Sequence, residues 1–138
     1  MAATDVNLIA VIVAAAVSMG IGFIWYSPML FRNAWLKEIG IPKKTIENKK
    51  KSMCLQFGLM FIAVIVMSYV LAHFAAYAGA TDLMGGLVLG LWTWLGFAAP
   101  LTFASYLFEG KSLKFYLINV FHHLAVLLVM GAILAVWN

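Results

Sequence analysis

An all-α fold, a bundle of four membrane-crossing helices, is what this sequence predicts, and three observations predict it. Of 138 residues, 65% are hydrophobic and only 10% are charged. An average soluble domain carries about 45–50% apolar and about 25% charged residues, and fourteen charged side chains cannot cover the surface of a soluble fold this size. The charges, second, leave four long uncharged runs: 26 residues between Asp5 and Arg32, 30 between Lys51 and Asp82, 26 between Asp82 and Glu109, and 24 after Lys114. Crossing hydrocarbon takes about 20 helical residues, so each run suffices. The runs, third, are apolar all round rather than alternating apolar and polar, which argues against membrane barrel strands. The mean hydropathy of +1.01 agrees. An ordinary soluble enzyme, a disordered chain and a disulfide scaffold are excluded by this composition; Cys54 is the only cysteine.

The elements follow in order. The first span runs over roughly 7–30. Its start, Met1-Ala2-Ala3-Thr4-Asp5, has no basic segment and its apolar run is long, so it reads as a retained helix and not a cleaved signal. Near its end lies Trp25-Tyr26-Ser27-Pro28. Pro28 disfavours helical backbone at Ser27 and so ends or kinks the helix there; the same four residues also suit the rim of a pocket. The connection 31–53 holds Arg32, Lys37, Lys43, Lys44, Lys49, Lys50 and Lys51. Pro42 can open a short helix over Lys43–Met53. Lys49, Lys50 and Lys51 then stand against the second span, placed to touch anionic lipid headgroups or a partner. The remaining spans cover roughly 54–78, 85–108 and 115–137, in a single transmembrane domain comprising the whole chain.

Orientation follows from the basic residues. All nine lie in the first and third connections, and the N-terminal tail and second connection hold none. Lys and Arg in short loops mark the cytoplasmic side, so both termini are expected outside and both basic connections inside. The expected location is a bacterial inner membrane. A net charge of +4 distributed this way signals topology and not nucleic-acid binding.

Polar side chains within spans carry information because hydrocarbon penalises them unless paired. At about 1.5 Å of rise per residue, Tyr26, Ser27, Gln56, Thr102, Ser105, Asn119, His122 and His123 fall in one layer near the basic connections. Gln56, Ser105, Asn119, His122 and His123 form a candidate polar vestibule. Asn119 lies four residues before His123, on a shared helix face, and three before His122; one histidine can face the bundle interior while the other turns toward a neighbouring helix or subunit. Pro100 cannot donate to the carbonyl of Gly96, and His123, or a water it holds, is expected to satisfy that oxygen. The first reading of the layer is interhelical hydrogen bonding that holds the bundle together, with a ligand or proton site as the alternative.

Other chemistry is poorly represented. His73 and His123 lie at different depths and cannot clamp one haem, and no Cys/His/Asp/Glu cluster has metal-ligand spacing. No cofactor, metal site or catalytic residue is expected. Trp94 falls near mid-membrane, so its indole N–H needs an internal partner. Glycines 20, 22, 85, 86, 90, 96 and 131 offer close helix approach.

Gly22-Phe23-Ile24-Trp25-Tyr26-Ser27-Pro28-Met29-Leu30-Phe31 with Trp35, then Trp94-Leu95-Gly96-Phe97 with Pro100, Phe108-Glu109-Gly110-Lys111-Ser112, and Asn119 before the His pair resemble the bacterial membrane family called domain of unknown function 1761. The resemblance covers nearly the whole chain. It implies a small four-helix integral membrane protein and no activity. The expectation is therefore a non-enzymatic protein in the lipid bilayer that assembles with itself or joins a membrane complex as an accessory subunit. The alternative is a small transporter or channel with a cytoplasm-facing vestibule.

Overall fold

The computed structural model describes residues 5–27, 30–39 and 50–137. Among them there is no strand, and four helices are long and apolar enough to cross a membrane. The long helices are α1 (Leu8–Trp25), α3 (Lys50–Ala78), α4 (Leu83–Phe108) and α5 (Leu113–Val136), with a short α2 (Arg32–Ile39) after the first. The chain is a multi-pass membrane protein.

Helix ends lie where capping chemistry puts them. The Asn7 side chain accepts from the amides of Ile9 and Ala10 and opens α1. Asp82 accepts from Gly85 at 2.7 Å and opens α4 two residues before the start expected from hydropathy. Ser112 accepts from Phe115 at 3.1 Å and does the same for α5. Between α3 and α4, Gly79 takes φ 69°, the left-handed conformation in which glycine ends a helix at no steric cost.

Two expected boundaries need correction. The first helix stops at Trp25 rather than near residue 30, because Ser27 leaves the helix and its carbonyl accepts from the amides of Leu30 and Arg32 instead. The chain then re-enters helix as α2, which hydropathy alone does not reveal because Arg32–Ile39 is amphipathic. The second long helix begins at Lys50, not 54: hydrogen bonding along a helix does not stop at the hydrocarbon boundary. The short helix expected over Lys43–Met53 lies outside the described residues as far as position 49, and positions 50–53 are the first turn of α3.

The most extensive helix contact is between α4 and α5. A Cβ at Gly86 would strike the carbonyl oxygen of Gly131 and stand 2.8 Å from the Ala135 Cβ. A Cβ at Gly90 would strike the Leu127 carbonyl and stand 3.0 Å from the Leu128 Cα. Gly86, Gly90 and Gly131 therefore let two backbones touch where lipid supplies no hydrophobic push between helices. By contrast, nothing lies within 4 Å of a Cβ built at Gly20, Gly58 or Gly96.

The core gathers small residues of α1 (Ala10, Val11, Ala14, Ala15), Val64, Leu71 and Ala72 of α3, and Val126, Leu127, Met130 and Leu134 of α5. Met130 is fully buried. Ser68, also fully buried, donates to the Val11 carbonyl at 2.9 Å and ties α3 to α1. Helix α5 is the hub: 39% of its most apolar stretch is buried, against 6% for α4, which lies at the periphery.

Asn7 Nδ2 donates to the Trp137 carbonyl at 3.3 Å, so the start of α1 and the end of α5 sit side by side. That end of the bundle, with the α3–α4 turn, is here called the terminal end. The opposite, basic end carries α2, the start of α3 and the α4–α5 turn. There the Ser112 hydroxyl donates to the Glu38 carboxylate, which joins α2 to the last turn between spans.

Candidate functional site

The basic half of the bundle is pinned by aromatic donors. The Trp25 indole donates to the Ile118 carbonyl at 3.0 Å, and the Trp94 indole to the Val120 carbonyl at 2.7 Å. Two helices thus fasten to a single turn of α5, and the internal partner that Trp94 needs is a main-chain oxygen. Tyr26 donates to Asn119 Oδ1 at 2.5 Å, and its ring stands edge-on to Trp35 of α2. The Trp25-Tyr26-Ser27 segment is therefore a fastening of α1 to α5. Pro28 lies outside the described residues.

Around Trp94 the helix α4 changes pitch. Residues Trp94–Ala98 form a π turn, in which the amide of Ala99 reaches back to the Trp94 carbonyl. Its position has a cause: Pro100 lacks an N–H and its ring crowds the preceding turn, and a widened turn relieves that crowding. The carbonyl expected to bond His123 does not do so. Gly96 is exposed, and His123 makes no hydrogen bond among the described residues. Widening of the helix, not a side-chain donor, accommodates Pro100.

On the other side of α5 a cleft of about 320 Å³ opens between the basic halves of α4 and α5. Thr102, Ser105, Tyr106 and Glu109 line it from α4 and its end. Lys111, Phe115, Tyr116, Asn119 and His123 line it from the turn and α5. Each set follows helical spacing, 102-105-106-109 and 115-116-119-123, so each is one face of its helix. The structure thus brings together Ser105, Asn119 and His123 of the five candidate vestibule residues.

The other two lie elsewhere. Gln56 is exposed on α3 and does not line the cleft, because α3 packs against the opposite side of α5. His122 faces α1, with its ring 6.1 Å from Trp25 and 5.1 Å from Tyr26, centre to centre. Its Nε2 stands 3.4 Å from where a Gly22 Cβ would be. Both His122 ring nitrogens are buried without a hydrogen-bond partner among the described residues. Lys49 lies outside the described residues; Lys50 and Lys51 occupy the first turn of α3, their side chains outside that description.

Sequence reasoning missed Tyr106, Glu109, Lys111, Phe115 and Tyr116 as parts of one site. Spacing alone was the available signal, since each continues a face already marked by Ser105 or Asn119. The cleft differs chemically from the rest of the spans. Elsewhere the small hydroxyls are spent on main-chain oxygens: Ser18 on Ala14, Ser68 on Val11, Thr93 on Leu89. In the cleft Thr102 and Tyr116 are committed in the same way, to Ala98 and Ala99. The side chains of Ser105, Tyr106, Glu109 and His123 make no hydrogen bond or ion pair among the described residues, and the Lys111 ammonium only overlies the Phe115 ring at 5.5 Å. Among the described residues no group of three His, Cys, Asp or Glu stands together to hold a metal.

Fold and cleft together define a class: a helical multi-pass membrane protein with a mixed-polarity cleft at its basic end. The family model described as protein of unknown function, DUF1761, matches residues 9–135, and the chain belongs to that family. No curated protein and no solved structure matches the chain.

Proposed function

We propose that this chain is a non-enzymatic membrane subunit that assembles with copies of itself through the outer face of α4, with its basic end in the cytoplasm of a bacterial inner membrane. The observation that carries the reading is Trp92. It is 65% exposed, about 14 Å along α4 from Leu83 by helical rise, and its indole makes no hydrogen bond among the described residues. Trp25 and Trp94, by contrast, both donate to carbonyls. Lipid tails offer no acceptor at that depth, and an unmet donor costs about 1–3 kcal/mol. One turn further on, Pro100 leaves a carbonyl of the Leu95–Gly96 turn without its N–H, and Gly96 is open to close approach. One face thus carries an unmet donor, an unmet acceptor and a small residue, the composition a self-complementary contact requires. The α4–α5 cleft holds Ser105, Glu109 and His123, but no hydrogen bond joins their side chains among the described residues, so no nucleophile is set against a base there, which supports a non-enzymatic role.

The test uses the full chain with Cys54→Ser and Leu95→Cys in native membranes. Oxidation is expected to give a crosslinked dimer. Mass measurement in gentle detergent is expected to show an oligomer that Trp92→Ala reduces to monomer with an unchanged helical circular dichroism spectrum. A monomeric parent chain that does not crosslink contradicts the reading.

The transporter reading rests on the cleft. Against it stands the packing beyond: Val126, Leu127 and Met130 of α5 are buried against α1 and α3, and Gly86 meets Gly131, so a hydrated path has to form outside a single bundle.

A further inference from the structure

We propose that the α4–α5 cleft is a headgroup site for a zwitterionic phospholipid bearing a primary ammonium, of the phosphatidylethanolamine class. This goes beyond the assembly reading and does not depend on it, since a single chain contains the whole site.

Glu109 and Lys111 line the same cleft, two residues apart across the α4–α5 turn, and yet no ion pair joins them. Gly110 between them takes φ 69°, a conformation that favours glycine. A carboxylate and an ammonium held in one cleft but apart suit a ligand with both signs of charge. An anionic lipid would satisfy Lys111 and be repelled by Glu109.

Depth gives the second argument. Glu109 and Lys111 stand at the end of the span, at headgroup level. Ser105 lies about 5 Å inward of Phe108, Asn119 about 9 Å inward of Leu113, and His123 about 15 Å, at the helical rise. The cleft therefore grades from charged rim to neutral hydrogen-bonding wall. A phospholipid grades the same way, from ammonium and phosphate to glycerol ester carbonyls, which only accept hydrogen bonds. Ser105 Oγ is a free donor at the depth of those esters. Asn119 is a second, because Tyr26 engages its Oδ1 and leaves the amide nitrogen to donate.

Size gives the third. Sites for whole small molecules occupy about 300–1,000 Å³. At about 320 Å³ the cleft holds a headgroup and glycerol but not two acyl chains. Those chains have an apolar surface beside it: Leu101 is 72% exposed and Phe103 42% exposed on α4. A soluble zwitterion gains nothing from that surface, so the same headgroup chemistry is assigned to a membrane lipid.

The experiment is native mass spectrometry of the full chain, released from nanodiscs containing equal parts phosphatidylethanolamine, phosphatidylcholine and phosphatidylglycerol. Phosphatidylethanolamine is expected to be retained about tenfold over either competitor. Glu109→Gln and Lys111→Gln each are expected to reduce that preference at least fivefold while leaving the helical circular dichroism and its melt unchanged, since both side chains are at the periphery. Millimolar phosphoethanolamine is expected not to displace the lipid; displacement would assign the site to a soluble zwitterion and overturn the lipid claim. Another lipid retained as well as phosphatidylethanolamine, or a preference that survives both substitutions, overturns the proposal.

Discussion

Gly90→Leu is expected to separate α4 from α5 and to cost about 3 kcal/mol or more in a denaturing-detergent titration. Overpacking a well-filled core costs about 1–3 kcal/mol when side chains can shift. Here the obstacle is main chain: a Cβ at position 90 already strikes the Leu127 carbonyl and stands 2.8 Å from its carbon. Backbone cannot swing aside as a rotamer can, so the helices must part. Parting them removes the Trp94 bond to Val120 and opens the cleft whose walls they form. Gly58→Leu is the matched control. It adds the same side chain to a helix face with nothing within 4 Å, and its effect is expected to stay within about 0.5 kcal/mol. Equal stability of the two variants would remove the close glycine contact from the account.

The second large effect concerns two tryptophans only two positions apart. Trp94→Ala is expected to cost about 3 kcal/mol, the low end of the range for truncating a buried aromatic, because the ring is half-buried. It loses a 2.7 Å hydrogen bond to Val120, the stacking of its ring on Phe121 at 6.2 Å, and packing against the core. Trp92→Ala is expected to leave the unfolding free energy of the monomer unchanged, because that ring touches no other described aromatic and faces outward. Thermal melts of the two variants side by side are the check. A Trp92 variant as unstable as the Trp94 variant would place that side chain inside the bundle.

The spans were legible because lipid imposes one strong rule: backbone must bond to itself and side chains must be apolar. Four uncharged runs therefore became four helices. The need of Trp94 for a partner was legible for the same reason, an N–H at mid-depth. What hydropathy does not encode was missed. Pro28 announced a break at Ser27, but not that the Ser27 carbonyl would turn to Leu30 and Arg32 and end α1 at Trp25. The early start of α4 is set by the Asp82 cap. The π turn is foreshadowed by Pro100 only as an irregularity, and whether helix or side chain yields depends on what stands opposite.

At the candidate site the layer of polar residues was legible, but not how it divides. Depth places Gln56, His122 and His123 together, whereas rotation about each helix separates them: α5 turns His123 toward α4, and His122 toward Trp25 and Tyr26 of α1. Rotation is fixed by packing, above all by Gly86, Gly90 and Gly131. Those glycines were visible in the sequence, but which of the seven candidates made contact was not.

The account rests on four helices that cross the membrane with the lysines and arginines on a single, cytoplasmic face. Cys54 near the start of α3 and a cysteine introduced by Thr81→Cys (in a Cys54→Ser background) in the α3–α4 turn sit at opposite ends of one helix, and both positions are exposed. A membrane-impermeant maleimide applied to bacterial spheroplasts is the measurement. The prediction is that the position 81 cysteine reacts at once and Cys54 only after the membrane is opened. Rapid labelling of Cys54 in sealed spheroplasts, with the position 81 cysteine protected, would contradict the account.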